Sequence, residues 1–336
     1  MPRRGWRRAG ERRPFRYYDS RGNRIRERAT IERLDKLAIP PAWRDVWIAP
    51  NVNAKVQATG LDAAGRRQYL YHPDYRAQQE AAKYDKLIRF AEKLPDIRLA
   101  MGEHMTLDPL DPLRVCAIAV RLINLAWFRV GGERYAKSSR TYGVTTLTKN
   151  HVDVRGKRVA FRFVAKHKTK VRTALVDTEL AEAIGALKKT PGMRLFRFEA
   201  DGALWNLTDR RLNDYIKEYM GAEFTGKDFR TWGGTLLAAV AFAERGPVEG
   251  KGAQKRAVAS VMRLVAEKLG NTPAVTRASY VSPAVVDQYL DGRTIDDFRP
   301  RHLRVVTARD IGLDVEEQAT LSLLRSYRIR QARQAA

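Results

Sequence analysis

The segment LGNTPAVTRASYVSP, residues 269–283, contains one side chain with nucleophilic potential, Tyr280. A tyrosine phenol can attack an electrophilic centre and form a covalent intermediate when nearby groups stabilise its anion. The alternative interpretation is a buried or half-buried aromatic residue, which is the commoner use of a tyrosine. Asn271 precedes Tyr280 in this segment, and its uncharged amide can donate and accept hydrogen bonds.

Three basic side chains lie in distinct local motifs: Arg129 in WFRVGGERYAKSS, Lys166 in FVAKHK and Arg230 in KDFRTWGGT. An arginine presents a charged planar fork that matches two phosphate oxygens, and a lysine can donate a proton. The chain has 63 lysines and arginines, so each of the three taken alone is most simply a solvated charge or a phosphate contact. Together with a tyrosine, such cations could stabilise the charge that develops when a phosphate ester is attacked without a metal ion.

Metal and nucleotide-triphosphate chemistry find little support in the sequence. The five histidines are scattered at His72, His104, His151, His167 and His302. The single cysteine, Cys116, cannot build a zinc site and lies in an apolar helical segment, which favours a core position. The segment GPVEGKG is one residue short of a phosphate-binding loop and has Gly252 where Ser or Thr would bind magnesium. We therefore expect no metal and no cofactor.

The composition indicates a folded protein with a polyanionic partner. The chain has 336 residues, 44% of them apolar, and a formal net charge of +25. A charge of this size favours nucleic acid first, then a membrane surface, then an RNA scaffold. No apolar stretch is long enough for a transmembrane helix, and the basic N-terminal segment lacks the apolar region that a signal peptide requires. A single cysteine fits a reducing cytoplasm.

The hydrophobic pattern changes along the chain and predicts an α+β fold. Residues 1–14 are rich in arginine and are expected to form a basic, disordered arm. Residues 15–80 contain short alternating runs with glycine turns, which predict a small β-rich N-terminal domain. From about residue 75 the spacing becomes helical, with the first helix ending before Pro95, and we expect a larger, mostly helical catalytic domain over 81–336.

Within the helical part, one stretch predicts a three-stranded antiparallel sheet. In HVDVRGKRVAFRFVAKHKTKVRTALVD, Phe161 and Phe163 alternate with Arg158 and Arg162. The same parity places Lys166 on the arginine face, next to a hairpin tip. Two helices follow: one begins at the N-cap Thr225, shortly before Arg230, and another closes at Gly270.

The order of these motifs resembles the type IB DNA topoisomerases, specifically the small poxviral and bacterial enzymes. The resemblance rests on Arg129, a hairpin lysine at Lys166, Arg230 in a KDFRT motif, and Tyr280 behind an LGNTP turn, and it covers residues 15–325. It implies an isomerase that relaxes positive and negative supercoils without ATP. The expected reaction is transient cleavage of one strand through a 3′-phosphotyrosyl intermediate, strand rotation and religation.

The resemblance also implies a role for each of these residues. Tyr280 would be the nucleophile, Arg129 and Arg230 would stabilise the phosphate in the transition state, and Lys166 would be the general acid for the leaving 5′ oxygen. The partner would be double-stranded DNA, with the N-terminal domain acting as a DNA clamp on a monomeric enzyme. The expected location is the bacterial cytoplasm, in association with the nucleoid.

Asn271 departs from the poxviral pattern, which has histidine at this position of the LG[HN]TP turn. An asparagine amide and a neutral imidazole can each donate one hydrogen bond to a phosphate oxygen. Only histidine can become cationic near neutral pH. The departure therefore bears on the rate and its pH dependence, and we expect Asn271 to be a phosphate-oxygen donor.

The segment GRRQYLYH supplies candidate DNA contacts in the N-terminal domain. Glutamine can read adenine edges, and arginine can read guanine or bind phosphate. The alternative is a hairpin with a half-buried row of tyrosines. A tyrosine in GGERYAKSS also matches a DNA-contacting position of the family. The predicted DNA-binding residues are Arg66, Arg67, Gln68, Tyr69, Tyr71 and Tyr135.

Two other functions stay open on the sequence. A tyrosine recombinase or integrase shares the catalytic set, but that class usually has an all-helical N-terminal domain, and residues 15–73 are β-rich. A DNA-binding relative with weakened catalysis is the second alternative. The intact set of two arginines, lysine and tyrosine argues against it, and Asn271 is the one feature that leaves room for it.

Overall fold

The computed structural model describes residues 4–10, 14–299 and 312–335. The chain divides into two compact units, Met1–Asp85 and Lys86–Ala336. The strands are β1 (Trp6–Ala9), β2 (Arg16–Tyr18), β3 (Arg44–Ile48), β4 (Val56–Leu61), β5 (Arg67–Tyr71), β6 (Val152–Arg155), β7 (Arg158–Val164), β8 (Lys170–Val176), β9 (Arg197–Ala200) and β10 (Ala203–Asn206). The helices are α1 (Arg28–Lys36), α2 (Pro73–His104), α3 (Pro112–Ala126), α4 (Glu133–Ser139), α5 (Thr178–Lys189), α6 (Asp209–Met220), α7 (Gly226–Arg245), α8 (Lys251–Leu269), α9 (Pro273–Ser279), α10 (Pro283–Leu290) and α11 (Val315–Ala335). The predicted α+β class is confirmed.

The N-terminal unit is built on an antiparallel five-stranded sheet in the order β2-β1-β3-β4-β5. Helix α1 contributes Leu34, which is fully buried among Tyr17, Val46 and Ile48. Because β5 is at the edge of the sheet, the GRRQYLYH segment lies along an exposed strand.

The expectation of a disordered arm over residues 1–14 is wrong for Trp6–Ala9, which form strand β1 between β2 and β3. Arg8 in this strand has internal partners: its guanidinium donates to the carbonyl of Ile39 at 3.1 Å and lies over the Phe15 ring, 4.2 Å from the ring centre. The backbone hydrogen bonds that β1 forms with β2 and β3 stabilise the strand more than its arginine charges favour a solvated, disordered segment. Residues 1–3 and 11–13 of the expected arm lie outside the described residues.

Helix α2 continues through Pro95, although the sequence predicted a helix end there. A proline inside a helix removes one backbone hydrogen bond and crowds the preceding turn. The buried side chains Leu94, Ile97 and Met101 extend the apolar face across the proline, and their burial outweighs that cost. The division between the two units falls within this helix at Asp85, whereas we expected a domain switch at residue 80.

The second unit contains the predicted three-stranded antiparallel sheet, in the order β6-β7-β8, which is confirmed. Phe161 and Phe163 are buried on one face, and both rings contact Phe128 edge-on. On the other face Arg162 lies directly opposite Arg172. Like charges at opposed positions destabilise a sheet, so this face is better suited to an anionic ligand than to stability.

The C-terminal helix α11 ties the helices of this unit together. Glu317 is buried and accepts two hydrogen bonds from Arg98 of α2, at 2.8 and 2.7 Å. It also accepts one from the Trp232 indole of α7, at 3.2 Å. Helix α7 is thereby fixed close to Arg230. In the part of the chain that the structure describes, no helix has the length and apolarity to span a membrane.

Candidate active site

The site forms where α3 and α8 end and α7 begins. Helix α3 ends at Trp127, whose backbone is left-handed (φ 51°). A bulky residue in this conformation costs about 1–2 kcal/mol. The turn sends Phe128 into the core and brings Arg129 beside the end of α8. It also points the Trp127 carbonyl at Arg230, which donates a hydrogen bond to it.

Arg230 is held inside the protein, with 4% of its surface exposed. Its Nη2 donates to the carbonyl of Leu269 at 2.8 Å, and its Nη1 donates to Trp127. Its Nε is buried and has no acceptor within the described residues. The guanidinium carbon lies 5.2 Å from the centre of the Tyr280 ring. The carbonyls therefore fix the guanidinium while leaving donor capacity for a ligand.

The pKa of Arg230 is lowered to about 10, chiefly by burial and also by the nearby positive charge of Arg129, while Tyr280 acts in the opposite direction. Burial likewise lowers the pKa of Arg129, again opposed by Tyr280. Arg230 still carries its charge at neutral pH. Neither arginine forms an ion pair with a carboxylate in the described ranges. A buried and a partly buried arginine, neither paired with a carboxylate among the described residues, are suited to bind an anion.

Asn271 is placed by the end of α8. Gly270 adopts the left-handed conformation (φ 61°), and the Asn271 N–H donates back to the carbonyl of Ala266 at 2.9 Å, which is the Schellman arrangement. The Asn271 Oδ1 accepts a hydrogen bond from Nη2 of Arg129 at 2.6 Å. An arginine can only donate, so this contact fixes which way the amide faces. The Nδ2 group is consequently left buried without a partner among the described residues, as a free donor.

Tyr280 follows helix α9, which the LGNTP turn starts. The Thr272 side chain accepts a hydrogen bond from the N–H of Val275, and Pro273 occupies the first helical position. The helix lasts two turns and ends at Tyr280, whose N–H donates to Thr276 at 2.9 Å. The tyrosine is half-buried rather than part of the core.

A cavity of about 570 Å³ opens beside the arginines. Arg129, Arg230 and Gly270 line it together with Lys170 and Arg172 of β8. Glu267 is also a lining residue. The excess of basic groups favours an anionic ligand.

Comparison with known proteins agrees with this chemistry. Residues 72–294 match the family model of the eukaryotic DNA topoisomerase I catalytic core, and residues 14–62 match that of the bacterial DNA topoisomerase IB N-terminal domain. DNA topoisomerase 1B of Acanthamoeba polyphaga mimivirus is 32% identical over 283 residues, which cover 82% of this chain and 84% of the relative. The chain belongs to the type IB DNA topoisomerases.

Two further relatives of this topoisomerase are poxviral. DNA topoisomerase 1B of vaccinia virus (strain Copenhagen) is 22% identical over 240 residues, covering 70% of this chain and 73% of the relative. DNA topoisomerase 1 of rabbit fibroma virus (strain Kasza) is 23% identical over 285 residues, covering 80% of this chain and 85% of the relative. The β-rich N-terminal unit and its family match leave the recombinase alternative without support.

The structure brings four of the five predicted catalytic residues of the topoisomerase together: Arg129, Arg230, Asn271 and Tyr280. Lys166 is exposed in the tip of the β7–β8 hairpin and does not line the cavity. Strand β7 ends before Lys166, so the parity argument from the sequence no longer sets its direction.

The hairpin tip that carries Lys166 has an unusual backbone. His167 and Lys168 are both left-handed, with φ of 61° and 59°, where glycine or asparagine is usual. The Lys168 ammonium donates to the carbonyl of Ser139 at 2.6 Å, which ties the tip to the end of α4. Ala165 and Thr169, on either side of the tip, do line the cavity.

The predicted DNA-binding residues of the N-terminal unit are exposed except for Gln68, which is half-buried, and two of the five are engaged with Asp62. Tyr69 and Tyr71 are 48% and 41% exposed, and their rings stack with centres 6.0 Å apart. Gln68 donates to the carboxylate of Asp62 at 2.9 Å, and Arg66 forms a salt bridge with it at 2.8 Å. Hydrogen bonds from the backbone and side chain of Arg66 lower the pKa of Asp62 to about 2.

The remaining two positions are open to solvent: Arg67 is exposed, and Tyr135 on α4 is 50% exposed.

Sequence reasoning missed the residues that support the site. A side chain at Gly233 would collide with the Trp127 indole, and one at Gly234 would collide with the backbone of Tyr280. Adjacent glycines inside a helix are a signal of close approach, and the pair in RTWGGT could have been read in this way. No sequence pattern predicts that the Trp127 carbonyl binds Arg230, because this contact depends on the left-handed backbone conformation of Trp127.

Proposed function

We propose that this type IB topoisomerase relaxes duplex DNA by attack of Tyr280 on a backbone phosphodiester. The phenol loses its proton to solvent as its oxygen bonds to phosphorus, and the bond to the 5′ oxygen breaks. That oxygen leaves as a 5′ hydroxyl, and a 3′-phosphotyrosyl link remains. The link conserves the energy of the phosphodiester, so resealing needs neither ATP nor a metal ion. The observation that carries this proposal is the Tyr280 ring placed 5.2 Å from the buried, carboxylate-free guanidinium of Arg230.

Arg129 and Arg230 are assigned to the two non-bridging oxygens of the phosphate. Negative charge gathers on these oxygens as the phenol attacks, and fixed cations stabilise it without reorganising. Arg230 is already immobilised by the carbonyls of Trp127 and Leu269, and its Nε has no other use. Arg129 is oriented by Asn271 and Gly270.

Asn271 is assigned two contacts. Its Oδ1 accepts a hydrogen bond from Arg129, and its Nδ2 donates one to a phosphate oxygen. The buried, unpartnered Nδ2 supports this assignment, because a buried donor without an acceptor costs free energy unless a ligand satisfies it. The substitution of histidine by asparagine in the family turn therefore preserves both contacts without a titratable group.

Lys166 is assigned as the general acid that protonates the leaving 5′ oxygen. Because Lys166 lies at the exposed hairpin tip and does not line the cavity, this role requires the tip to close onto the DNA before the proton is transferred. The support is that residues on both sides of the tip, Ala165 and Thr169, line the cavity with the arginines.

The N-terminal unit is assigned to binding the duplex through Arg66, Arg67, Gln68, Tyr69 and Tyr71. The exposed edge position of β5 and the stacked tyrosines support a contact surface there. Asp62 orients Gln68 and Arg66 in this proposal, because its carboxylate binds both side chains. Tyr135 of the second unit contributes from α4, where it is exposed.

The enzyme acts as a monomer that clamps double-stranded DNA, in a bacterial cytoplasm and associated with the nucleoid. A monomer is supported because Arg129, Arg230, Asn271 and Tyr280 meet within one chain. The match to a bacterial N-terminal domain and the formal charge of +25 support the proposed clamp and location.

The proposed reaction is tested by relaxation of supercoiled plasmid in EDTA without ATP, with a detergent quench to trap adducts. We expect positively and negatively supercoiled plasmid to be relaxed to completion, with a protein–DNA adduct at each time point before completion. DNA binding without relaxation or adduct would contradict the proposal and indicate a DNA-binding relative with a disabled site.

Asn271→His is expected to keep cleavage within about tenfold of wild type at pH 8, because a neutral imidazole can accept from Arg129 and donate to phosphate. Protonation of the imidazole removes the acceptor that faces Arg129. Cleavage by the variant should therefore slow below a pH of about 6.5, whereas the wild type, with an amide that does not titrate, should show no such decrease from this position. Single-turnover cleavage between pH 5.5 and 9 measures both effects.

Asn271→Asp is the matched control for the donor. A carboxylate still accepts from Arg129 but cannot donate to phosphate, and it repels the anion. We expect cleavage about 100-fold slower than wild type at every pH in the range. Equal rates for Asn271→Asp and wild type would remove Asn271 from the site. An inactive Asn271→His would mean that Asn271 does not occupy the position of the family histidine in the turn.

A further inference from the structure

Helix α7 touches the backbone of Tyr280 directly, with no side chain between them. A β-carbon built on Gly234 would lie 2.6 Å from the Tyr280 carbonyl oxygen and 3.2 Å from the Tyr280 β-carbon. Real side chains do not pack this closely. The glycine therefore allows a contact between helix and nucleophile segment that any other residue would displace.

Thr235, the next residue on α7, bridges two backbone groups of that segment. Its Oγ1 donates to the carbonyl of Tyr280 at 3.3 Å and accepts from the N–H of Ser282 at 3.1 Å. Thr235 and Ser282 are both fully buried. A hydroxyl has one proton and two lone pairs, so these two bonds are compatible with a single rotamer.

These bonds occur where the chain leaves α9 and enters α10, a point at which helical hydrogen bonds no longer fix the backbone. The Tyr280 N–H and the Val281 N–H still donate to Thr276, but the Tyr280 carbonyl is past the end of the helix. Thr235 supplies the partner that the helix no longer provides. The position of the phenol therefore depends on the Thr235 hydroxyl.

We infer that Thr235 is a positioning residue for the nucleophile: through the backbone of Tyr280 and Ser282 it sets the distance between the phenol and Arg230. Arg230 and Thr235 lie on the same helix, so α7 fixes the phosphate-binding arginine and the attacking group relative to each other. This inference rests on the proposed role of Tyr280. It assigns Thr235 no contact with DNA.

The test compares Thr235→Val, which keeps the shape and removes the hydroxyl, with Thr235→Ser, which keeps the hydroxyl and removes the methyl. A displacement of the nucleophile by about 1 Å can cost about 100-fold in rate. We expect Thr235→Val to cleave and to religate 10- to 100-fold more slowly. Thr235→Ser should remain within about threefold of wild type, and all variants should bind DNA equally.

A substrate with sulfur in place of the leaving 5′ oxygen separates positioning from proton donation. Sulfur leaves without a proton, so it restores a variant that lacks the general acid but not one whose nucleophile is misplaced. Thr235→Val should remain slow on this substrate. If Thr235→Val fails to fold, as judged by circular dichroism, Gly234→Ala provides the second test, because its methyl displaces the Tyr280 carbonyl while Thr235 is intact.

The outcomes distinguish this inference from the proposed function. Wild-type rates in Thr235→Val or in folded Gly234→Ala would overturn the positioning role and leave Tyr280 as the nucleophile. A wild-type rate of Thr235→Val on the sulfur substrate would also overturn the positioning role. An adduct formed by Tyr280→Phe would instead overturn the proposed function on which the inference depends.

Discussion

Tyr280→Phe is expected to bind supercoiled DNA like the wild type, to form no covalent adduct and to relax no plasmid. The substitution removes only the phenol oxygen and keeps the ring that lies over the Arg230 guanidinium, so the packing of the site is preserved. Since phenylalanine has no atom that can attack phosphorus, the loss should be complete rather than partial.

The adduct is measured after a detergent quench, and binding is measured by gel shift on the same duplex. Tyr289→Phe is a matched control: it also removes one phenol oxygen, but that hydroxyl donates to the carbonyl of Gly246 at 3.0 Å, at the opposite end of α7 from Arg230. The control should form the adduct at a rate near that of wild type. An adduct in Tyr280→Phe would show that another group is the nucleophile. Loss of the adduct in both variants would show that the loss is not specific to Tyr280.

The elements that position this chemistry were predictable where one local pattern dominates. The alternation of Phe161 and Phe163 with Arg158 and Arg162 predicted β7 and its hairpin, because a period of two buries one face of a strand. The helix ends were predictable from Thr225 and Gly270, which have cap chemistry. Burial and backbone preference agree at these places.

Elements set by distant parts of the chain were not predictable. Strand β1 has an arginine-rich sequence that favours solvent, and it is ordered by pairing with β2 and β3. Pro95 predicts a helix end, but apolar burial on both sides maintains α2 through it. In both cases tertiary contacts outweigh local propensity.

The sequence motifs indicated four residues that the structure brings together, Arg129, Arg230, Asn271 and Tyr280, but not how they are held. Nothing in LGNTP shows that Asn271 turns its oxygen to Arg129 and leaves its Nδ2 free. Nor does the sequence show that the Trp127 carbonyl and the Thr235 hydroxyl fix Arg230 and Tyr280. These contacts join residues far apart in the chain, and their geometry follows from helix packing.

The exposed position of Lys166 makes its role the most informative to test. We expect Lys166→Ala to cleave an ordinary strand about 10²- to 10⁴-fold more slowly, the usual contribution of a general acid. The defect should largely disappear on a substrate whose leaving 5′ oxygen is replaced by sulfur, because a thiolate leaves without protonation. Single-turnover rates on the two substrates give the ratio directly.

Lys168→Ala is the matched control, because it removes a lysine from the same turn. Its ammonium is already bound to the carbonyl of Ser139, so it should affect the position of the tip and not the proton. We expect Lys168→Ala to be slowed equally on the two substrates. Recovery confined to Lys166→Ala establishes that the hairpin tip closes over the cavity and delivers the proton. If sulfur restores neither variant, the ammonium of Lys166 binds phosphate only, and the proton for the 5′ oxygen comes from another donor.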